Sequence, residues 1–322
     1  MKPVLLKRKL QAEFLVLAMC FLLVSPSLAQ NTATSIVFMS SRNGTSEIYR
    51  MNPDGTQIRQ LTEAPQGANH PAWSPDGQQI VFTSLQDPHW KGEIYVMNAD
   101  GTNPINLTQS LDRPDSGPSW SPDGKQIVFA SAPIFEWHIW AMAADGGKPR
   151  RLTKDHHGQN QGPDWSPDGK QIVFSSDRNG NFDIYVMEAD GTNPVNLTNH
   201  PAIDLGPAWS PDGKQIVFSS NRKENVDIYV MDADGANPIR LTNAAAKDRR
   251  PAWSPDGTQI AFTSLRDGNG EIYVMNADGT NPINLTQHRE WDTNPSWGSV
   301  PTLSVSPNKK LAILWGKVKR AR

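Results

Sequence analysis

Cysteine is nearly missing from this chain of 322 residues, Cys20 being the only one. No internal disulfide can form, and if the leader discussed below is removed the remaining protein has no thiol chemistry at all. Its stability must come from packing. An excess of charge of either sign is also missing. With 31 basic and 33 acidic residues the formal net charge is -2, so no overall field draws in nucleic acid or an anionic membrane. The apolar run from Phe14 to Val24 spans about 11 residues, short of the roughly 20 that cross a bilayer as a helix. Signature motifs of catalysis are absent too: there is no GxSxG nucleophile turn, no HExxH zinc helix and no GxxxxGK[ST] phosphate loop. No catalytic set, cofactor site or metal site is expected.

What is present begins with an export signal. Lys2, Lys7, Arg8 and Lys9 precede the apolar run, and small residues stand at Ser27 and Ala29, the order of a secretory signal peptide cleaved after Ala29. A lipoprotein reading of Cys20 would put Met19 where a small residue normally stands. The expected layout is a signal peptide at 1–29, a repeat domain at 30–300 and a basic tail at 301–322. In that tail Ser306 and Pro307 suit a helix start, and Leu311, Leu314, Trp315 and Val318 share helical spacing. After signal cleavage no membrane span remains.

The repeat organises everything between. Trp-Ser-Pro-Asp-Gly recurs at Trp73, Trp120, Trp165, Trp209 and Trp253, with a worn Trp-Gly-Ser copy at Trp297, at spacings of 47, 45, 44, 44 and 44 residues. Between tryptophans the order is constant: WSPDG, an apolar run such as IVFTS, IYVMNADG, then a segment ending in Leu-Thr. Short runs rich in Ile, Val, Phe and Tyr, bounded by Gly, Pro, Asn and Asp, are strands joined by turns. Ser-Pro-Asp-Gly and Asn-Ala-Asp-Gly suit tight hairpins. Four antiparallel strands per repeat make a propeller blade. The chain enters mid-repeat at Ile36, and its missing tryptophan strand is supplied by Asn294-Pro295-Ser296-Trp297. The fold expected is therefore all-β, a six-bladed β-propeller closed by pairing of the C-terminal strand with the N-terminal blade.

The pattern PxWSPDGxxIxFxSxRxxxxDIYxMxxDGxxxxxLT, repeated through nearly all of the chain after Ala29, resembles the WD-like repeat of the TolB family, periplasmic propellers of the Tol-Pal envelope system. The resemblance implies a periplasmic or secreted binding module and a protein partner such as a Pal-like lipoprotein. It extends to the propeller part of TolB only: about six residues separate Ala29 from Ile36, and the family's N-terminal α/β domain is expected to be absent. Similar repeats cap secreted prolyl-oligopeptidase-like enzymes, whose hydrolase domain is expected to be missing as well.

Comparison of the six copies locates candidate contacts. SPDG and NADG turns open on one face; the loops joining strands two to three and four to one open on the other and differ from copy to copy, so recognition is expected there. The candidates are Asn69, His70, His89, Trp90, Phe135, Trp137, His138, His156, His157, Phe182, Arg249, Arg250 and Trp291, with His200 and His288 in the same loops; aromatic residues and arginine dominate binding hot spots. The repeated tryptophans are structural. Two other readings compete: a glycan lyase or hydrolase built on the propeller around His156, His157 and His200, and a carbohydrate-binding propeller with Trp90, Trp137 and Trp291 as stacking platforms. His156-His157 is a weak metal pair, because neighbours on an extended chain point apart. Asp232-Ala233-Asp234-Gly235 resembles half a calcium loop without its closing Glu. Finally, four copies place Arg after strand two and an acid before strand three: Arg42 with Glu47, Arg178 with Asp183, Arg222 with Asp227 and Arg266 with Glu271. These are read as ion pairs within a blade.

Overall fold

The computed structural model describes residues 32–85, 91–109, 113–133, 136–154 and 158–301. The leader, the basic tail and the candidates His89, Trp90, Phe135, His156 and His157 lie outside the described residues. Within them the chain forms six four-stranded antiparallel sheets, as the repeat predicts. Blade 1 contains Thr32–Ser40, Glu47–Met51 and Arg59–Gln60, and its inner strand is Asp292–Pro301 from the other end of the domain. That strand pairs with Thr32–Ser40, Trp297 lying opposite Ile36. Closure in this way leaves no open edge between first and last blade. Among the described residues no helix is long and apolar enough to cross a membrane.

The remaining inner strands are Ala68–Trp73, Asp115–Trp120, Asn160–Trp165, Asp204–Trp209 and Asp248–Trp253, in blades 2 to 6. Second strands such as Gln171–Ser176 are buried at five consecutive positions. Both faces of each are covered by neighbouring blades, so they read as continuous apolar runs rather than as an alternating pattern. The core is correspondingly a ring of inter-blade layers. Trp165 packs with Val128, Ile139 and Ala141 of the preceding blade and with Ile172 and Phe174 of its own. Ile36, Phe38 and Tyr49 meet Ala261, Ile272 and Val274 beside Trp297, which completes the circle.

The turns follow from their residues. In the first WSPDG copy Ser74 Oγ donates to Asp76 Oδ1 at 2.6 Å, and the Gly77 N–H reaches the Ser74 carbonyl at 2.9 Å. Gly77 takes φ +66° to do so, the left-handed conformation that glycine adopts at little cost. Fourth strands differ slightly from expectation: they cover only the two residues before Leu-Thr, as in Ile105–Asn106. The threonine that follows serves another purpose. Thr108 Oγ1 accepts the Ile94 N–H at 3.1 Å and donates to Glu93 at 2.8 Å, tying the blade's outer edge to its third strand.

The arginine pairing corrects the sequence-based expectation. Arg42 reaches Asp292 at 2.9 Å, Arg222 reaches Asp204 at 2.7 Å and Arg266 reaches Asp248 at 3.0 Å. Each partner is the fully buried acid at the start of the inner strand, not the acid before strand three. Arg178 meets the neutral Asn160 Oδ1 at 3.3 Å. Three of the acids before strand three, Glu47, Asp183 and Glu271, are instead engaged by threonines, as Thr198 donates to Asp183 at 3.1 Å, while Asp227 pairs with Arg240 of the fourth strand at 2.7 Å. Each guanidinium also lies over two rings of its sheet, Arg222 over Phe218 and Tyr229. In blade 3, where that arginine is missing, Arg113 enters from the preceding loop, stacks 4.3 Å from the Trp140 ring centroid and faces Asp115.

Candidate functional site

The inner strands carry a proline two residues before the repeated tryptophan: Pro71, Pro118, Pro163, Pro207, Pro251 and Pro295. Proline has no N–H to donate, and the inner-strand ladder in blades 2 to 6 breaks into a bulge at that point, as between Asn69 and Ala72 or between Arg249 and Ala252. The residue just before each proline swings to positive φ: His70 at +48°, Gly117 at +62°, Gly162 at +60°, Gly206 at +62°, Arg250 at +57° and Asn294 at +57°. Hydroxyls of the preceding blade catch the displaced N–H groups, Thr83 that of Gly117 at 3.2 Å and Ser219 that of Arg250 at 3.1 Å. These six residues ring the central channel.

Half of this ring is glycine and half carries side chains. A Cβ added at Gly117 or Gly206 would meet nothing within 4 Å, so that side of the channel stands open. On the other side Arg250 Nη1 donates to His70 Nε2 at 2.8 Å, from blade 6 to blade 2 across blade 1. His70 Nδ1 lies 2.8 Å from Asn69 Oδ1. An amide oxygen only accepts, so the imidazole proton sits on Nδ1 and Nε2 is left to accept from the guanidinium. Burial, and next the Arg250 charge, push the His70 pKa down from 6.5 to about 3, which keeps the ring neutral. Arg250 is ringed by the channel walls yet open to water along the axis. Loss of bulk solvent and then the Arg249 charge draw it down to about 10, and it remains a cation at neutral pH.

Two cavities share this pair in their lining. Toward the repeated-turn face lies one of about 440 Å³, lined by all six inner strands and by Asp164. Asp164 is committed to the fold, accepting from Ser119 Oγ at 2.9 Å and from the Trp209 N–H at 3.0 Å. Burial pushes its carboxyl above the usual range. Toward the variable-loop face lies a mouth cavity of about 510 Å³. Gly117, Gly162 and Gly206 form its floor, and the rest of its lining includes the apolar Trp137, Ile203, Leu205 and Val226 and the cationic Lys247, Arg249 and Arg250. Its volume is in the range of small-ligand sites. No carboxylate lines it among the described residues.

Of the described candidates, His70, Trp137, Arg249 and Arg250 meet in this cavity. Asn69 orients His70, and Trp291, 42% exposed, lies with its ring centroid 5.9 Å from the Arg249 guanidinium carbon. Phe182 stands apart, half-buried, its carbonyl accepting from Asp204. His138 is buried within blade 3, where its ring takes the place of the acid before strand three and offers no surface. His200 and His288 brace their own loops, each Nδ1 accepting a backbone N–H two residues on, from Ala202 and Glu290. Among the described residues no three His, Cys, Asp or Glu side chains are grouped to hold a metal.

Sequence reasoning missed Lys247 and the aliphatic residues of the lining. It also missed the clearest internal signal: the position before the repeated proline reads His, Gly, Gly, Gly, Arg, Asn around the ring. Where the backbone prefers glycine, a large side chain signals a purpose other than folding.

Comparison with known proteins agrees with this architecture. A family model described as the TolB beta propeller domain matches residues 14–157, 150–250 and 221–307. Among solved structures, TolB from Acinetobacter baumannii is similar with a TM-score of 0.74 at 22% identity, over 82% of this chain and 66% of that one. That likeness speaks for the fold alone. A TolB homolog of Chlorobium chlorochromatii is 42% identical over 52 residues, 16% of this chain and 12% of that protein. An uncharacterized peptidase of Bacillus subtilis, YuxL, is 40% identical over 50 residues, 15% of this chain and 8% of that protein. The matches thus span less than two thirds of each of these relatives.

Proposed function

Because the chain belongs to the TolB β-propeller domain family, we propose that it is an exported, non-catalytic module that binds a protein partner at the channel mouth on its variable-loop face. One observation carries this reading: four candidates drawn from blades 2, 3 and 6 converge on a single cavity lined by both cationic and apolar side chains. A concave site with apolar lining and a few placed polar groups is the usual form of a recognition pocket. His70 is held neutral against a cation, an arrangement that positions an arginine and leaves no paired acid and base.

The leader sequence and the family together favour the periplasm, or secretion, as its location. A Pal-like envelope lipoprotein is the partner the family suggests, with the chain acting as a monomer, residues 1–29 as signal peptide, 30–300 as the propeller and 301–322 as a basic tail.

The test is a pull-down from an envelope extract with the protein lacking residues 1–29, beside a mouth variant carrying Trp137→Ala and Arg249→Ala. A protein held by the wild type and released by the variant supports the reading. Equal retention by both moves the partner elsewhere on the surface, and retention by neither removes the protein-binding reading.

A further inference from the structure

Resting on that reading, we propose that the mouth cavity recognises a carboxylate carried on a compact apolar group, with the carboxylate against Arg250 and Arg249 and the apolar body on Trp137, Ile203, Leu205 and Val226. Four observations lead there. First, the cavity lining combines two chemistries, Lys247, Arg249 and Arg250 from blade 6 and its approach loop and the aliphatic residues from the adjacent blade 5. Second, no acidic side chain lines it among the described residues to neutralise those cations. Third, the Arg249 Nε–H is buried without an acceptor among the described residues, so that guanidinium enters the lining with a hydrogen-bond donor unmet. Fourth, Arg250 is held by a neutral acceptor, His70 of blade 2. The His70 contact fixes the guanidinium without discharging it, leaving the rest of its planar fork for two carboxylate oxygens.

The apolar lining selects the class of anion. A free phosphate or sulfate is strongly hydrated and would leave Trp137, Leu205 and Val226 facing water, whereas a carboxylate on an aromatic or branched group satisfies both chemistries at once. Gly117, Gly162 and Gly206 make room for that body, because no Cβ projects from the floor. Two sources present this chemistry, a free organic acid and the C-terminal residue of a polypeptide.

The experiment is isothermal titration calorimetry of the protein lacking residues 1–29 with four probes: N-acetyl-phenylalanine, its amide, and an Ala-Ala-Ala-Phe peptide with a free or an amidated C-terminus. The free acids are expected to bind at least tenfold more tightly than the matching amides, and Arg250→Gln to remove that preference while the thermal transition is retained. If Arg250→Gln fails to fold, Arg249→Gln takes its place with the same expectation. Tighter binding of the peptide identifies a C-terminus as the source; equal binding of the small acid identifies a free acid. Equal affinity for acids and amides, an unchanged preference in the folded arginine variants, or no binding of any probe at millimolar concentration would overturn the proposal. Adding N-acetyl-phenylalanine to the pull-down separates this inference from the reading beneath it. A partner held at the mouth but not displaced by the acid defeats the carboxylate and leaves protein binding standing, and an acid that binds where no protein is captured does the reverse.

Discussion

At the scale of single residues, the position before the inner-strand proline divides the work of folding from that of binding. All six occupants adopt positive φ, and a non-glycine side chain there costs roughly 1–2 kcal/mol. Arg250→Gly is therefore expected to leave the fold as stable as wild type or about 1 kcal/mol more so, while abolishing ligand recognition at the mouth. Urea denaturation beside a binding titration would show the two effects diverging; a destabilised Arg250→Gly would mean that the guanidinium serves the fold. His70 makes a second prediction. Its pKa is lowered in the folded state, so between about 3 and 6.5 the unfolded chain binds the proton that the folded one refuses. The contribution of neutral His70 is complete above pH 6.5 and is lost as pH falls toward 3. His70→Asn keeps a residue tolerant of positive φ and removes the titration. The stability of wild type relative to His70→Asn should thus decline from pH 7 to pH 4, and a difference independent of pH would refute the assignment.

Within a blade, the unit of stability is the arginine that joins the second strand to the inner strand. Arg222 has a buried carboxylate as partner and Arg178 a neutral amide, while both donate to a serine and stack over a phenylalanine and a tyrosine. Arg222→Met strands the Asp204 charge and should cost roughly 3–5 kcal/mol. Arg178→Met loses similar neighbours without stranding a charge and should cost about 1–2 kcal/mol. Burial raises the Asp204 pKa, so acidification, which neutralises the stranded carboxyl, should narrow the gap between the two variants. Equal costs in paired denaturation curves would count against the buried charge as the cause. The pairing was only partly legible beforehand. The repeat shows that an arginine and two acidic positions recur together, but the acid nearer in sequence is taken by the Leu-Thr threonine or, at Asp227, by Arg240, and the guanidinium turns to one 18 residues upstream, or 250 downstream in blade 1.

Across the molecule, stability depends on closing the ring, and the closing strand shows where its copy of the repeat is worn. Trp297 is followed by glycine where the other tryptophans precede serine. A Cβ at Gly298 would lie 2.2 Å from Cγ of Trp73 in the next blade. Gly298→Val should force that indole out of the layer it shares with Val37 and Ile48. The expected loss is about 1–3 kcal/mol, read as a lowered denaturation midpoint, with faster proteolysis of the terminal strands than in wild type. A Gly298→Val protein as stable as wild type would show that the closing layer can repack.

The sequence alone determined the architecture, because hairpin turns, apolar runs and tryptophans are local features written six times in register, and the count of strands at the two ends dictates how the circle closes. It also indicated which face varies, since loops that differ between copies stand out against turns that do not. Only the tertiary structure decided which variable residues act together. His70 and Arg250 are 180 residues apart, and Trp137 and Lys247 come from different blades; the circular arrangement brings them to one channel mouth. Their meeting depends on the radius of the ring, on proline-induced bulges that turn the side chains inward, and on glycines in the neighbouring blades that leave the space open. No periodicity along the chain encodes that distance, because it is set by how six blades pack around a common axis.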